Sequence, residues 1–114
     1  MITGDNMNND CKRSTELFRE TADLDFFKAF FEPTRYDLIE FIWMHPNKSI
    51  TEIANEFRQD RSVISRHLEV LYRHNILLKT KESRYTFYSI NGEYVLEKFE
   101  TMTDLLKVLP KQCL

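Results

Sequence analysis

The spacing of apolar residues changes once along this sequence and then changes back, and this feature constrains the fold more than any other. From Ser14 to Asn75, apolar residues recur at intervals of three, four and seven, which is typical of amphipathic helices. Over residues 76–90 they alternate with polar residues on either side of a polar centre, which favours two strands. The helical period returns after Asn91. The sequence therefore predicts a mainly α fold with one small β-hairpin, whose turn lies at residues 81–84.

Residues that begin and end helices divide the first half of the chain. Residues 1–13 are polar and without periodicity, which predicts a flexible N-terminal arm. A helix is expected from Ser14, and a break near Asp23 leaves open whether one helix or two follow. Pro33 fits the first turn of the next helix, and Pro46 ends that helix before a loop.

The second half continues with the same signals. Ser49 or Thr51 can cap a helix, and Asp60 is a good N-cap for another that begins at Arg61. A last helix opens at Asn91 or Gly92. The expected inward-facing residues of the two middle helices are Ile53, Ala54 and Phe57 in one, and Val63 or Ile64, Leu68, Leu71 and Tyr72 in the other.

The resulting order is helix, helix, helix, turn, helix, hairpin, helix, which describes a winged helix-turn-helix with a three-helix core. The prediction is one domain over residues 14–110. Its recognition helix covers about 61–74, its wing about 76–90, and its C-terminal dimerisation helix about 92–109. The length of 114 residues suits a single domain.

Charge is distributed unevenly along the chain. Residues 58–84 hold seven Lys and Arg against three Asp and Glu, a net charge of +4, so the remainder carries −6 within a total of −2. Such a local excess can face an anionic partner even when the whole chain is acidic. In isolation, however, charges on one helix face are usually just solvated.

Candidate DNA-binding residues lie in the predicted recognition helix and at the tip of the wing. The N-terminal residues of a recognition helix meet base edges in the major groove, where Arg can bond guanine and Ser can reach bases or phosphates. One further residue, His67, is ambiguous between DNA contact and local packing. The full set is Arg61, Ser62, Ser65, Arg66, His67, Lys81 and Arg84. They predict binding to double-stranded DNA.

Four segments resemble the ArsR-type (ArsR/SmtB) family of winged-helix repressors. FFKAFFEPTRYDLIEFI at 26–42 is similar to the family's F-K-A-L-x-D-P-T-R opening, and ITEIANEF at 50–57 to the helix before its turn. SVISRHLEVL at 62–71 is similar to the recognition helix S-T-V-S-R-H-L-x-V-L, and SRYTFYSIN at 83–91 to the wing. The resemblance implies a homodimeric repressor whose first and last helices form the interface, on a two-fold symmetric operator. It also assigns Ser62, Ser65, Arg66 and His67 to the recognition helix and Arg84 to the wing, with Arg61 where the family often has Gln.

The sequence departs from the family pattern at its turns and at its sensing sites. Arg58 and Ser83 stand where glycine is usual. Family metal sensors often carry a C-x-C pair where this chain has Ser49 and Thr51, and the last helix has Asp104 but no His. Because soft ions need thiolates and zinc favours His and Asp, neither usual metal site is expected. No cofactor is predicted.

The two cysteines, Cys11 and Cys113, stand near opposite ends of the chain. With no signal peptide or apolar span, a cytoplasmic protein with free thiols is expected. A minority interpretation is a thiol site that binds a thiophilic ion or forms a reversible disulfide. Two other classes of function differ in how well the sequence supports them. A winged-helix module could bind an acidic protein in place of DNA, whereas an enzyme is not expected because no phosphate-binding loop or catalytic pairing occurs.

Overall fold

The computed structural model describes residues 5–113, which form six α-helices, three short strands and a final 3-10 turn. The elements in chain order are α1 Asp5–Thr21, α2 Leu24–Phe31, α3 Pro33–Met44, β1 Lys48–Ser49, α4 Ile50–Ala54, α5 Arg61–Arg73, β2 Leu77–Glu82, β3 Tyr85–Ile90, α6 Gly92–Lys107 and the 3-10 turn Lys111–Cys113. They belong to two compact units, residues 25–95 and residues 1–24 with 96–114. The mainly helical fold with a winged helix-turn-helix is confirmed.

The unit of residues 25–95 contains an antiparallel sheet in the order β1-β3-β2. The hairpin is present as predicted, but its turn is tighter, because residues 81 and 82 still pair within β2. A third strand, β1, pairs with the far edge of β3 and was missed. A strand of two residues is too short to show alternation of apolar and polar residues, and its pairing partner lies far along the sequence. No local pattern therefore indicates it.

The core of this unit lies between the inner faces of α3, α4, α5 and the sheet. The fully buried side chains are Phe26, Leu38, Ile39, Ile42, Ile53, Ile64, Leu68, Leu71, Ile76 and Leu77. On α5, Ile64 rather than Val63 is fully buried. The prediction that Tyr72 faces the core was wrong, since it lies on the surface with the Lys79 ammonium 4.1 Å from its ring centroid. Consecutive helical residues point about 100° apart, so Leu71 and Tyr72 cannot share one narrow inner stripe.

Caps set the starts of the helices in this unit. Glu32 accepts the backbone N–H of Arg35 ahead of Pro33, which is where the sequence places the start. Ser49, not Thr51, caps α4 in a capping box with Glu52, and the backbone N–H of Ser49 bound to that carboxylate lowers the pKa of Glu52.

Asp60 is the N-cap of α5, but its side chain makes no capping hydrogen bond. Its backbone carbonyl accepts the N–H groups of Val63 and Ile64 instead. Non-glycine residues with positive φ in the described range are Asn47, Asn75 and Ser83. Arg58 is not among them, so the turn before α5 does not need glycine at that position. In the wing, by contrast, Ser83 adopts the left-handed conformation that glycine adopts readily.

The other unit, residues 1–24 with 96–114, contains α1 and most of α6. The chain breaks at Ala22 and Asp23, so two helices are formed where the sequence left one or two open. The prediction of a flexible arm was wrong for residues 5–13, because α1 already begins at Asp5. Residues 1–4 lie outside the described residues. Extending an existing helix costs far less than starting one, so the helix predicted from Ser14 can continue backwards through polar residues. The last helix ends at Lys107, earlier than predicted.

The two cysteines lie in this same unit and are joined. Cys11 on α1 and Cys113 in the final turn form a disulfide, with 5.5 Å between their Cα atoms. The expectation of free thiols was wrong, because sequence separation says nothing about distance after the chain folds back. An ion pair of 3.1 Å between Lys98 and Asp23 further connects the two segments of this unit.

Among the residues the structure describes, no helix is both long enough and apolar enough to cross a membrane.

Candidate nucleic-acid interface

The helix α5 presents opposite chemistry on its two sides. Ile64, Leu68 and Leu71 are completely buried, and their spacing of four and three residues places them on one stripe. Ser62 and Arg66 are exposed on the opposite side, with Ser65 half-buried beside them, and Arg61 is exposed as the first residue of the helix. The burial of the apolar stripe therefore fixes which way the polar residues face.

Cations on α5 and the wing fall into two groups according to their partners. Glu69 lies 3.3 Å from both Arg73 and Lys79, so one carboxylate ties the C-terminal half of α5 to β2. Within residues 5–113, Arg61 and Arg66 form no ion pair with a carboxylate. The uncompensated positive charge of α5 is therefore concentrated in its first half, where a recognition helix approaches bases.

The side chain of His67 is engaged from within the protein. The Arg35 Nη1 donates to His67 Nδ1 at 3.3 Å, and Arg35 Nε donates to the carbonyl oxygen of Ala29 at 2.8 Å. Arg35 thus connects the end of α2, the first turn of α3 and the recognition helix. Because a guanidinium can only donate, Nδ1 accepts this bond and Nε2 is the ring nitrogen left for another partner.

Arg35 ends the P-T-R motif of the segment at 26–42, but the sequence predicted no role for it. The available signal was the match of Pro33, Thr34 and Arg35 to that motif. Its partner on α5 follows it by 32 positions, so the contact exists only in the folded chain.

The wing carries its cations on and beside the two-residue turn. Arg84 lies in the turn next to Ser83, which has a φ of 58°, and its guanidinium carbon is 5.5 Å from the Tyr85 ring centroid. Lys81 belongs to β2 and pairs with Thr86, not to the turn as predicted. Both side chains are exposed, and Lys81 has no carboxylate partner in the described part of the chain. All seven predicted DNA-binding residues lie in the unit of residues 25–95.

The positions of the familiar metal ligands are used differently. Ser49 is buried and its hydroxyl accepts the backbone N–H of Glu52 at 3.2 Å, so it caps a helix. Across residues 5–113, no group of three or more His, Cys, Asp or Glu side chains is arranged to hold a metal ion.

Comparisons with known proteins agree with this architecture. The family described as "Bacterial regulatory protein, arsR family" matches residues 32–79, from the N-cap of α3 into β2. The uncharacterized HTH-type transcriptional regulator MJ1325 of Methanocaldococcus jannaschii is 28% identical over 90 residues, covering 79% of this chain and 99% of its own.

Two solved structures show the same fold. An ArsR-like transcriptional regulator from Rhodococcus sp. RHA1 has a TM-score of 0.66 at 20% identity, covering 72% of this chain and 76% of its own. The winged helix-turn-helix domain of Mb0332 from Mycobacterium bovis, described as homodimeric, has a TM-score of 0.59 at 18% identity, covering 74% and 77%.

Proposed function

We propose that this chain, whose residues 32–79 match the arsR family of bacterial regulatory proteins, is a cytoplasmic homodimeric repressor that reads double-stranded DNA through the first half of α5. The observation that carries the proposal is the pair Arg61 and Arg66. Both are exposed on the helix after the turn, and neither is neutralised by a carboxylate of residues 5–113.

The chemistry of these side chains suits both parts of DNA recognition. Arg66 can donate two hydrogen bonds to guanine, while the hydroxyls of Ser62 and Ser65 can bond bases or phosphates. The wing cations Lys81 and Arg84 reach phosphates, where each contact releases counterions and adds affinity that depends on salt. His67 contributes mainly through its bond to Arg35, which holds the helix in place.

The surface of the last helix supports a homodimer. No residue of α6 is buried, and two of its large apolar side chains are exposed: Leu96 by 59% and Leu106 by 48%. An apolar stripe of this kind favours a second protein surface, and Mb0332, which shares the fold, is described as homodimeric. We therefore infer that terminal helices of two copies pair, so that two recognition helices meet half-sites about one helical turn apart.

The direct test replaces Arg66 by Ala and measures affinity for DNA upstream of the gene. The loss should be about 1–3 kcal/mol if the side chain reads a base. Arg73→Ala is the matched control, because Arg73 lies on the same helix but is paired with Glu69. Equal affinities of folded Arg66→Ala and native protein would remove Arg66 from the interface. If neither binds DNA but both bind an acidic protein, the interaction-module alternative is correct.

A redox-sensing function is a second candidate, favoured by the disulfide between Cys11 and Cys113. Two electrons and two protons from a dithiol would convert it to two thiols and release α1 from the final turn. Because α1 and α6 are the proposed dimer helices, that release would alter half-site spacing. Operator affinity should then change on reduction of native protein but not of a Cys11→Ser, Cys113→Ser variant.

Metal sensing through the same thiols is tested in parallel. The proposed repressor does not use the usual family metals, so zinc and arsenite should leave operator affinity unchanged. Release of DNA by either ion in the reduced native protein, but not in the double variant, would show that the cysteines are the sensor.

A further inference from the structure

The outer face of α3 is unusually aromatic for a surface helix. Tyr36, Glu40, Trp43 and Met44 follow each other at spacings of four, three and one, so they share one side of the helix. Trp43 is 72% exposed and Met44 70% exposed. Large apolar side chains grouped on a surface usually mark a binding site. The inner face is completely buried, so this exposure is confined to one side.

These residues help to line an open cleft of about 270 Å³, which we call the aromatic cleft. Its lining consists of Phe30, Tyr36, Ile39, Glu40, Trp43 and Met44. Phe30 and Ile39 are buried and form its base, with ring centroids of Phe30 and Tyr36 6.5 Å apart. Its size is just below that of sites for drug-sized molecules, so it suits a small ligand.

One charge lies in the aromatic cleft, and it is negative. The Tyr36 hydroxyl donates to Glu40 Oε2 at 3.4 Å, which places the carboxylate beside the aromatic rings. Within residues 5–113, no Lys, Arg or His forms an ion pair with Glu40. The cleft therefore offers one uncompensated carboxylate on an otherwise aromatic and apolar surface.

We propose that the aromatic cleft binds a small organic cation, such as a quaternary ammonium compound. Aromatic faces carry negative partial charge, and Trp attracts a cation most strongly of the three rings. The alkyl groups of such a cation would contact Phe30 and Met44, while Glu40 balances its charge. The site goes beyond DNA binding, and it lies on a helix face that the proposed interface does not use.

Other classes of ligand fit this lining less well. An anion would meet both the carboxylate and the negative ring faces. A metal ion would find a single carboxylate, although Ca²⁺ and Mg²⁺ prefer six or more oxygen ligands. A neutral apolar molecule would leave the Glu40 charge uncompensated beside it.

The chain supplies its own reporter for a binding test. Trp43 is the only tryptophan, so all indole emission comes from the cleft. Choline and tetraethylammonium, titrated at low salt, should change this emission saturably. The neutral isostere of choline, 3,3-dimethyl-1-butanol, should bind more weakly because it lacks the positive charge.

Matched variants separate charge from shape. Glu40→Gln should weaken choline binding roughly 1.5- to 5-fold, the range for an exposed ion pair. Trp43→Leu should weaken choline binding roughly 2- to 30-fold, measured by calorimetry because this variant has no tryptophan emission. Asp37→Asn is the control, because Asp37 is exposed on the same helix but does not line the cleft. It should bind like the native protein.

Three results would overturn the proposal. The first is equal binding of choline and its neutral isostere, and the second is an equal loss in Asp37→Asn and Glu40→Gln. The third is ligand-free Trp43 emission that changes with protein concentration in step with the molecular mass, since the face would then be an interface between copies. Saturable, cation-selective binding that Glu40→Gln weakens and Asp37→Asn retains would establish the site.

Discussion

The helices α5 and α6 have similar amphipathic sequences but very different surroundings. On α5, Ile64, Leu68 and Leu71 have no exposed surface, whereas no residue of α6 is buried and Leu106 is 48% exposed. An apolar stripe shows that a helix needs to be covered but does not identify what covers it. For α5 the cover is the same chain, and for α6 we propose a second copy.

The largest expected effect comes from shortening a buried residue on α5. Leu68→Ala removes buried methyl groups and leaves a cavity, so the free energy of unfolding should fall by about 2–5 kcal/mol. Urea denaturation followed by circular dichroism measures this value. The fall should be the same at all protein concentrations, because the lost contacts lie within one chain.

The counterpart on α6 should affect association. Leu106→Glu places a charge on the proposed dimer stripe and should shift the mass from light scattering towards the 13.8 kDa of one chain. A native protein of that mass at micromolar concentration would contradict the dimer. If Leu106→Glu leaves a native dimer intact, the two copies meet through a different surface.

The charged residues of the wing should influence binding without influencing folding. Replacing Lys81 and Arg84 by Gln removes the two proposed phosphate contacts, so all duplexes should bind more weakly and the slope of log affinity against log salt should flatten by roughly one or two units. Fluorescence anisotropy at several salt concentrations measures the slope.

The matched pair for the wing is Arg73 with Lys79, whose charges are already held by Glu69. Replacing these two by Gln should change the salt slope less. Should the wing variant lose affinity only for the specific operator, the wing would be reading bases.

The smallest effect concerns the backbone of the wing. Ser83 has a φ of 58°, a conformation in which its Cβ crowds the backbone, so Ser83→Gly should raise the free energy of unfolding by about 0.5–1 kcal/mol. Asn75→Gly is the control, because Asn75 has a similar φ of 60° but Asn tolerates this conformation better. A gain in Asn75→Gly that matched or exceeded that of Ser83→Gly would show that side-chain crowding is not the cause.

Much of the candidate site could be predicted because its signals are local. The outward direction of Ser62 and Arg66 follows from helical spacing, and the wing from alternation around a polar centre. The partners of these residues could not be predicted in the same way. The Arg35 bond to His67 and the sharing of Glu69 between Arg73 and Lys79 depend on elements that meet only after folding.

By itself, the sequence determined the order of the helices and the hairpin from Pro33 onwards, the start of α3 at Pro33, and the side of α5 that faces outwards. These features depend on neighbours within a few positions, where backbone geometry leaves few choices. Only the tertiary structure decided that Lys48 and Ser49 add a third strand, that Cys11 meets Cys113, and that α6 buries no residue. Those outcomes depend on which distant segments meet, and this is set by packing of the whole chain, which a local pattern does not contain.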